Sequence, residues 1–443
     1  MTDLLSARAQ MGVSLAFHIV FAAIGIAMPL LMVVAEWRWR RTRDPIYRTL
    51  ARQWAKGTAI FFAVGAVSGT VLSFELGLLW PAFMEHAGAL IGMPFSLEGF
   101  AFFTEAIFLG IYLYGWERVP ERAHLAAGVM VALSGAASAF FVMTANAWMN
   151  SPAGFELVDG RFTEIDPVAA MFNPAWKGMT VHMVIAAYLS VGFGVAGVHA
   201  WLLRRDPRNR LHRAALGIAL AMGAPMALLQ PISGDLLARS TAIRQPIKLA
   251  AMEGHFETQR GAPLRIGGIP DAEAGRSIGA IEIPKALSLL TFHDPNAEVR
   301  GLEEFPRDEW PPLLVVRLAW QLMVAIGTFL AVVAVVAGWR WRRRPDPLDA
   351  RWFVNLLALC APLGFVALEA GWVVTEVGRQ PWIIYGVMRT ADAVTPMPHL
   401  VVPFLAFTLL YIGLAVIVTL LMRRMVLTAG ENGDRGGHGG IGL

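Results

Sequence analysis

The sequence predicts an all-α membrane protein of nine transmembrane helices, with its N-terminus outside and its C-terminus inside. Three observations predict it. Of 443 residues, 56% are hydrophobic and 16% charged, with a mean hydropathy of +0.53; a soluble chain carries about a quarter charged residues. Nine apolar runs reach the length of about 20 residues that a bilayer core requires. Helices follow because an isolated strand cannot satisfy its backbone groups in lipid. Finally, Lys and Arg gather in alternate connections.

The runs fall near 15–35, 57–79, 95–116, 126–148, 180–203, 214–234, 315–338, 353–374 and 401–422. The first is too long for the apolar core of a cleaved signal peptide and reads as an uncleaved span. The connection WRWRRTRDPIYRTLARQWAK (37–56), the stretches ERVPERAH, RRDPRNRLHR (204–213) and WRWRRRPDPLDAR (339–351), and the C-terminal tail share one side and hold 22 basic residues. Outside one long loop, the other side has only Arg8, Arg161, Lys177, Arg379 and Arg389. The basic side is the inner one. Trp37, Trp80, Trp116, Trp148, Trp201, Trp339 and Trp382 stand near span ends, as an aromatic belt does.

The chain divides into spans one to six (1–234), an outer loop (235–312), spans seven to nine (313–425) and a low-complexity tail (426–443) expected to be disordered. Functionless loops as long as 235–312 are uncommon. The pI near 9.4 reflects arginines beside apolar runs, which is topology rather than nucleic-acid binding. The single cysteine, Cys360, permits no intrachain disulfide and no thiolate metal site.

A carboxylate in lipid costs several kcal/mol if it stays charged and unpaired. GWVVTEVGRQPW (371–382) nevertheless carries Glu376 and Arg379. His18, Glu75, Glu98, Glu105, His182 and Met323 also lie within apolar runs. With the predicted orientation, His18, Glu98, His182 and Met323 fall in the outer halves of inward-running spans. Glu75 and Glu376 fall near the outer ends of outward-running ones. Each has a plainer reading alone. The histidines suit interfacial hydrogen bonds, Met323 core packing, Glu98 and Glu105 a polar seam two turns long, and Glu376 with Arg379 a salt bridge. Their shared depth favours a common site. Two histidines, a methionine and carboxylates without cysteine suit haem, either as an electron carrier with His and Met ligands or with a position open to oxygen. Zinc suits them less well. Lys248 and Glu253, five apart in the outer loop, have the spacing of a solvated amphipathic helix.

From Ser6 to about Met425 the chain resembles subunit I of the cytochrome bd-type quinol oxidases. The resemblance rests on GRQPW (378–382) after GWVVTE, on PFSLEGFAFFTEAIFLGIYLYGW (94–116), TANAWMNSPAGF (144–155), IKLAAMEGHFET (247–258), GIPD (268–271) and ARAQMGVSLAFH near the N-terminus. It implies three haems in the outer half of the bundle. His182 and Met323 would ligate the low-spin haem b, His18 the oxygen-reducing haem, and Glu376 the high-spin haem b, with Trp372 nearby. Glu98 would lie against the oxygen-site haem and Glu105 on the proton path. Arg379 would pair with a carboxylate or a propionate. Lys248 and Glu253 would bind or deprotonate quinol.

The outer loop is short, and Gln321, which would hydrogen-bond a propionate without supplying charge, stands where the long-loop type has an arginine; both features resemble the short-loop, cyanide-insensitive branch. There the oxygen site holds haem d or a third haem b. The resemblance also implies a heterodimer with subunit II, sometimes with a small single-span subunit. Ubiquinol or menaquinol and oxygen would be the substrates, in the bacterial cytoplasmic membrane. The alternatives are a quinone-linked di-haem cytochrome b that never meets oxygen and a proton-coupled transporter.

Overall fold

The computed structural model describes residues 2–434. Nine of the helices described are long and apolar enough to cross a membrane. They are α1 (Asp3–Thr42), α2 (Pro45–Leu79), α3 (Pro81–Tyr114), α4 (Glu121–Asn150), α5 (Trp176–Leu203), α6 (Arg210–Arg244), α7 (Leu313–Arg343), α8 (Arg351–Val377) and α9 (Val401–Asp434). The 40 residues of α1 extend about 60 Å at 1.5 Å per residue, well beyond a hydrocarbon core.

Local chemistry sets the ends. Thr2 caps α1, its side chain accepting from Leu5 N–H, and Arg43 closes the helix in a left-handed conformation. Asp44 then caps α2, with Pro45 at the first helical position, where a missing N–H costs nothing. Asn209 caps α6 through His212 N–H.

Several boundaries differ from expectation, beginning with α1 and α2, which start about twelve residues before their apolar runs. Helix α3 begins at Pro81 rather than near residue 95 and continues through Pro94. Helix α6 runs on to Arg244, so residues 235–244 of the expected loop are helical. Helix α8 breaks between Leu359 and Leu363, because Pro362 has no N–H to donate and its ring opposes the carbonyl one turn back. The last helix continues to Asp434, so residues 426–434 of the expected disordered tail are helical; residues 435–443 lie outside the described residues.

Small residues bring the helices together. A Cβ added to Gly192 of α5 would lie 2.5 Å from Gly223 Cα of α6. Added to Gly364 of α8, it would lie 2.6 Å from Ser190 Cα of α5. Such close approach is how helices gain packing in lipid, where apolar surface supplies no driving force. Gly192→Val is expected to destabilise the subunit by about 1–3 kcal/mol, since backbone rather than side chain must move. Gly217 of α6 meets nothing within 4 Å, and Gly217→Ala should leave the thermal transition of the purified complex in place. Equal transitions for both variants would contradict this account of the crossing.

The arginine-rich end is tied by ion pairs. Arg43 meets Glu121 at 2.8 Å, Arg48 meets Glu117 at 3.2 Å, and Arg213 pairs with Asp346. The aromatic belt holds in part. Trp37, Trp201 and Trp339 are exposed, but Trp148 and Trp80 are buried in the core. Trp148 donates its indole N–H to Ala153 O, so those two are packing residues rather than lipid anchors. At the opposite end, the chain between α6 and α7 folds into a short loop helix (Pro246–Glu253) and an antiparallel hairpin, Leu264–Asp271 with Arg276–Ile283.

Candidate functional site

Two histidines are held in the same way. His182 of α5 places Nδ1 3.0 Å from Ser233 Oγ of α6, and Gly234 lies under the ring, where a Cβ would sit 3.3 Å from Cε1. His18 of α1 places Nδ1 2.9 Å from Ser68 Oγ of α2, with Gly69 under the ring and a virtual Cβ 3.0 Å from Cε1. In each case serine holds Nδ1 and glycine leaves room for the flat ring. Nε2 is then the nitrogen that would meet iron, an orienting device common to metal-bound histidines. A third Ser-Gly pair, Ser134–Gly135, lies beside Glu105, with a virtual Cβ on Gly135 3.4 Å from Glu105 Oε2. The dipeptide SG occurs only at these three places in the sequence. That was the available signal, and residue-type reasoning passed over it.

His182 faces a cavity of about 890 Å³, and Met323 of α7 lines it too. Gly371 of α8 admits Met323, since a Cβ there would lie 3.0 Å from its Sδ. Trp372 is also in the wall. Gln230 Nε2 lies 3.0 Å from His182 Nε2, while Gln230 Oε1 is buried without a partner. A cavity of this size, an imidazole and a thioether facing it, two glycines making room and an unsatisfied buried amide fit a haem. Among the described residues, no group of three or more His, Cys, Asp or Glu could hold a bare metal ion.

Two of the carboxylates, Glu75 and Glu105, lie against α1. Glu75 accepts from Gln10 and Ser14 at 2.9 Å each. Glu98 accepts from Ser138 of α4 at 3.0 Å. Glu105 is buried near Gly25 of α1, seven residues past His18 and so about 10 Å nearer the arginine-rich end. Its Oε1 has no hydrogen-bond partner. Each oxygen of Glu376 has one donor. Asn146 of α4 donates to Oε1 at 2.6 Å, and Arg379 donates to Oε2 at 2.5 Å. Arg379, 3% exposed, also donates to Ile383 O. The carboxylate partner expected for Arg379 is therefore Glu376 itself.

The loop helix is not solvated. Every residue from Ile247 to Glu253 is buried, and Lys248 and Glu253 line the same cavity as His182 and Met323. Lys248 Nζ donates to Asn150 Oδ1 at 2.7 Å and to Thr375 O at 3.2 Å. Burial, and then the nearby Arg379, push its pKa down to about 7. Burial pushes the Glu253 carboxyl up, against the opposing influence of Arg317, which lies 3.6 Å away. Gln321 donates to Gly267 O and Gly268 O at 2.9 Å each. Sequence reasoning missed Asn146, Asn150 and Arg317, whose partners lie on other elements of the fold.

The family model for cytochrome bd terminal oxidase subunit I matches residues 6–429. The chain belongs to that family. The subunit is 38% identical over 429 residues to a Bacillus subtilis protein described as a cytochrome bd menaquinol oxidase subunit I, covering 95% of this chain and 96% of the relative. It is 28% identical over 458 residues to the cytochrome bd-II ubiquinol oxidase subunit 1 of Escherichia coli, covering 87% of this chain and 88% of the relative. The solved bd oxidase of Geobacillus thermodenitrificans matches with a TM-score of 0.90 and 42% identity, over 96% of this chain and 98% of that one. The subunit is thus part of a terminal quinol oxidase, a haem enzyme that moves electrons from quinol to oxygen. Family membership bears out the resemblance and displaces the transporter and di-haem alternatives.

Proposed function

We propose that the subunit oxidises ubiquinol or menaquinol at its outer, loop-bearing face and reduces oxygen to water with protons drawn from the arginine-rich inner face. The carrying observation is one cavity lined by His182, Met323, Lys248 and Glu253, which supports a reading with quinol chemistry beside an electron acceptor. Protons released outside and consumed from inside build a proton-motive force by sidedness alone, without pumping. The orientation rests on the basic connections, with N-terminus outside and C-terminus inside, in the bacterial cytoplasmic membrane.

His182 and Met323 would hold the low-spin haem b. His18 would hold the oxygen-reducing haem, haem d or a third haem b, and Glu376 the high-spin haem b, with Trp372 at its edge. When bound, these groups supply one-electron transfer and the site for oxygen. The chain's own residues do the rest. Lys248, brought near neutrality by burial, and Glu253 would hold the two ends of quinol's polar ring and take its protons. Glu105 and Glu98 would pass protons from the inner side toward the oxygen site. Arg379 orients Glu376 through its hydrogen bond. Subunit II completes a heterodimer, with or without a small single-span subunit.

The test is a reduced-minus-oxidised optical spectrum of the purified complex, with a pyridine haemochrome assay and mass spectrometry of extracted haem. Haem d beside two b haems, or three b haems, supports the three-site assignment and settles the group at His18. Fewer than three haems per complex would overturn it.

A further inference from the structure

The loop side of the cavity is organised around Arg317, a side chain that no motif singles out. It lies in the second turn of α7 and is 1% exposed. Its Nη1 donates to Met252 O at 2.7 Å, and its Nη2 donates to Arg265 O and Gly267 O at 2.6 Å each. Nη1 also stands 3.6 Å from Glu253 Oε2. One turn further along, Gln321 adds its two bonds to Gly267 O and Gly268 O. Four backbone carbonyls from two separate loop segments therefore converge on one face of α7.

The segments also close on each other. Gly254, directly after Glu253, has φ +59°, and a Cβ there would lie 2.4 Å from Ser277 Oγ. That hydroxyl donates to Gly254 O at 2.9 Å. The end of the loop helix is thereby pinned between the hairpin and α7. A buried charge is tolerated only when paired and hydrogen-bonded, and a guanidinium fork can serve several fixed acceptors where an ammonium cannot. Arg317 and Trp320 of α7 and Arg265 of the hairpin are the polar and charged groups facing Glu253, and all three favour its ionised form.

We propose that Arg317 is the positioning residue of the quinol-oxidising site. It fixes the loop helix and the hairpin onto the helix that carries Met323, and holds Glu253 as the proton acceptor. The proposal rests on the reading that Lys248 and Glu253 bind quinol. Relaxing the clamp releases the loop without removing Met323 or His182, so binding suffers before electron transfer does.

The experiment uses the purified complex and a short-chain quinol. Arg317→Gln is expected to raise the KM for quinol about tenfold or more, the loss of one to two charge-assisted hydrogen bonds. The dithionite-reduced low-spin spectrum should stay as in the wild type. The acid limb of kcat/KM should move to higher pH, because Glu253 without its cation protonates more easily. Arg317→Lys should restore the pH limb but not the KM, since the charge returns without the fork. A merely structural role would not separate those two readouts. Wild-type KM and pH limb in Arg317→Gln would overturn the proposal. If that variant fails to assemble, Arg317→Lys decides alone: a raised KM supports the clamp and a wild-type KM rejects it. Glu253→Gln run in parallel keeps the two readings apart. An unchanged quinol rate there removes the quinol-site reading and the proposal with it. A lost rate with a wild-type Arg317→Gln removes the clamp alone.

Discussion

Replacing His182 by alanine abolishes the low-spin b signal in the reduced spectrum and lowers quinol-driven oxygen uptake by roughly 100-fold or more, about 2.7 kcal/mol in the barrier. The expectation follows from the wall of the cavity. Ser233 holds His182 Nδ1, which leaves Nε2, beside Gln230, as the candidate ligating nitrogen, and Met323 is the thioether lining the same space. Met323 alone would be a weak ligand, and no second imidazole lines the cavity among the described residues. His18→Ala supplies the comparison. It should remove the oxygen-site signal while leaving the low-spin band, because His18 is anchored separately by Ser68 on α2. A normal low-spin band in His182→Ala would sink the ligand assignment.

Glu105→Gln slows steady-state turnover by about 10²- to 10⁴-fold, the range expected when a proton-transferring group is lost, while haem content and spectra stay unchanged. Glutamine is nearly isosteric and fits beside Gly25 and Gly135, the glycines that make room for the carboxylate. Glu105 Oε1 has no protein partner to lose, so stability should hardly change. Rapid mixing of the reduced complex with oxygen locates the effect. The first electron transfer should be unaltered and the proton-dependent steps slowed. Wild-type turnover in this variant would show that protons reach the oxygen site by another route.

The bilayer made most of the fold legible. A span must be about 20 apolar residues and helical, so nine runs predicted nine helices, and only ends and the Pro362 break were open. The same solvent made His18, Glu98, Glu105, His182 and Glu376 conspicuous, since lipid penalises each. The penalty identifies the residue but not its partner. Glu376 was visible as an anomaly, and that Asn146 answers it from α4 was not. Lys248 and Glu253 were the reverse case. In an aqueous loop a charge attracts no notice, and their spacing suited a solvated helix. Only the folding of Pro246–Glu253 into the protein interior made them buried charges.

By itself, the sequence determined the helix count, the basic and non-basic ends, and the residue types of the centre, because these depend on local composition against a fixed solvent. The tertiary structure decided the pairings: which serine anchors which histidine, which glycine admits Met323, and how Arg317 gathers three carbonyls beside Glu253. Those contacts join residues about 50 or more positions apart, and Asn146 meets Glu376 across 230. Helix periodicity carries information over a few turns only, so such pairs come into contact only when whole helices pack.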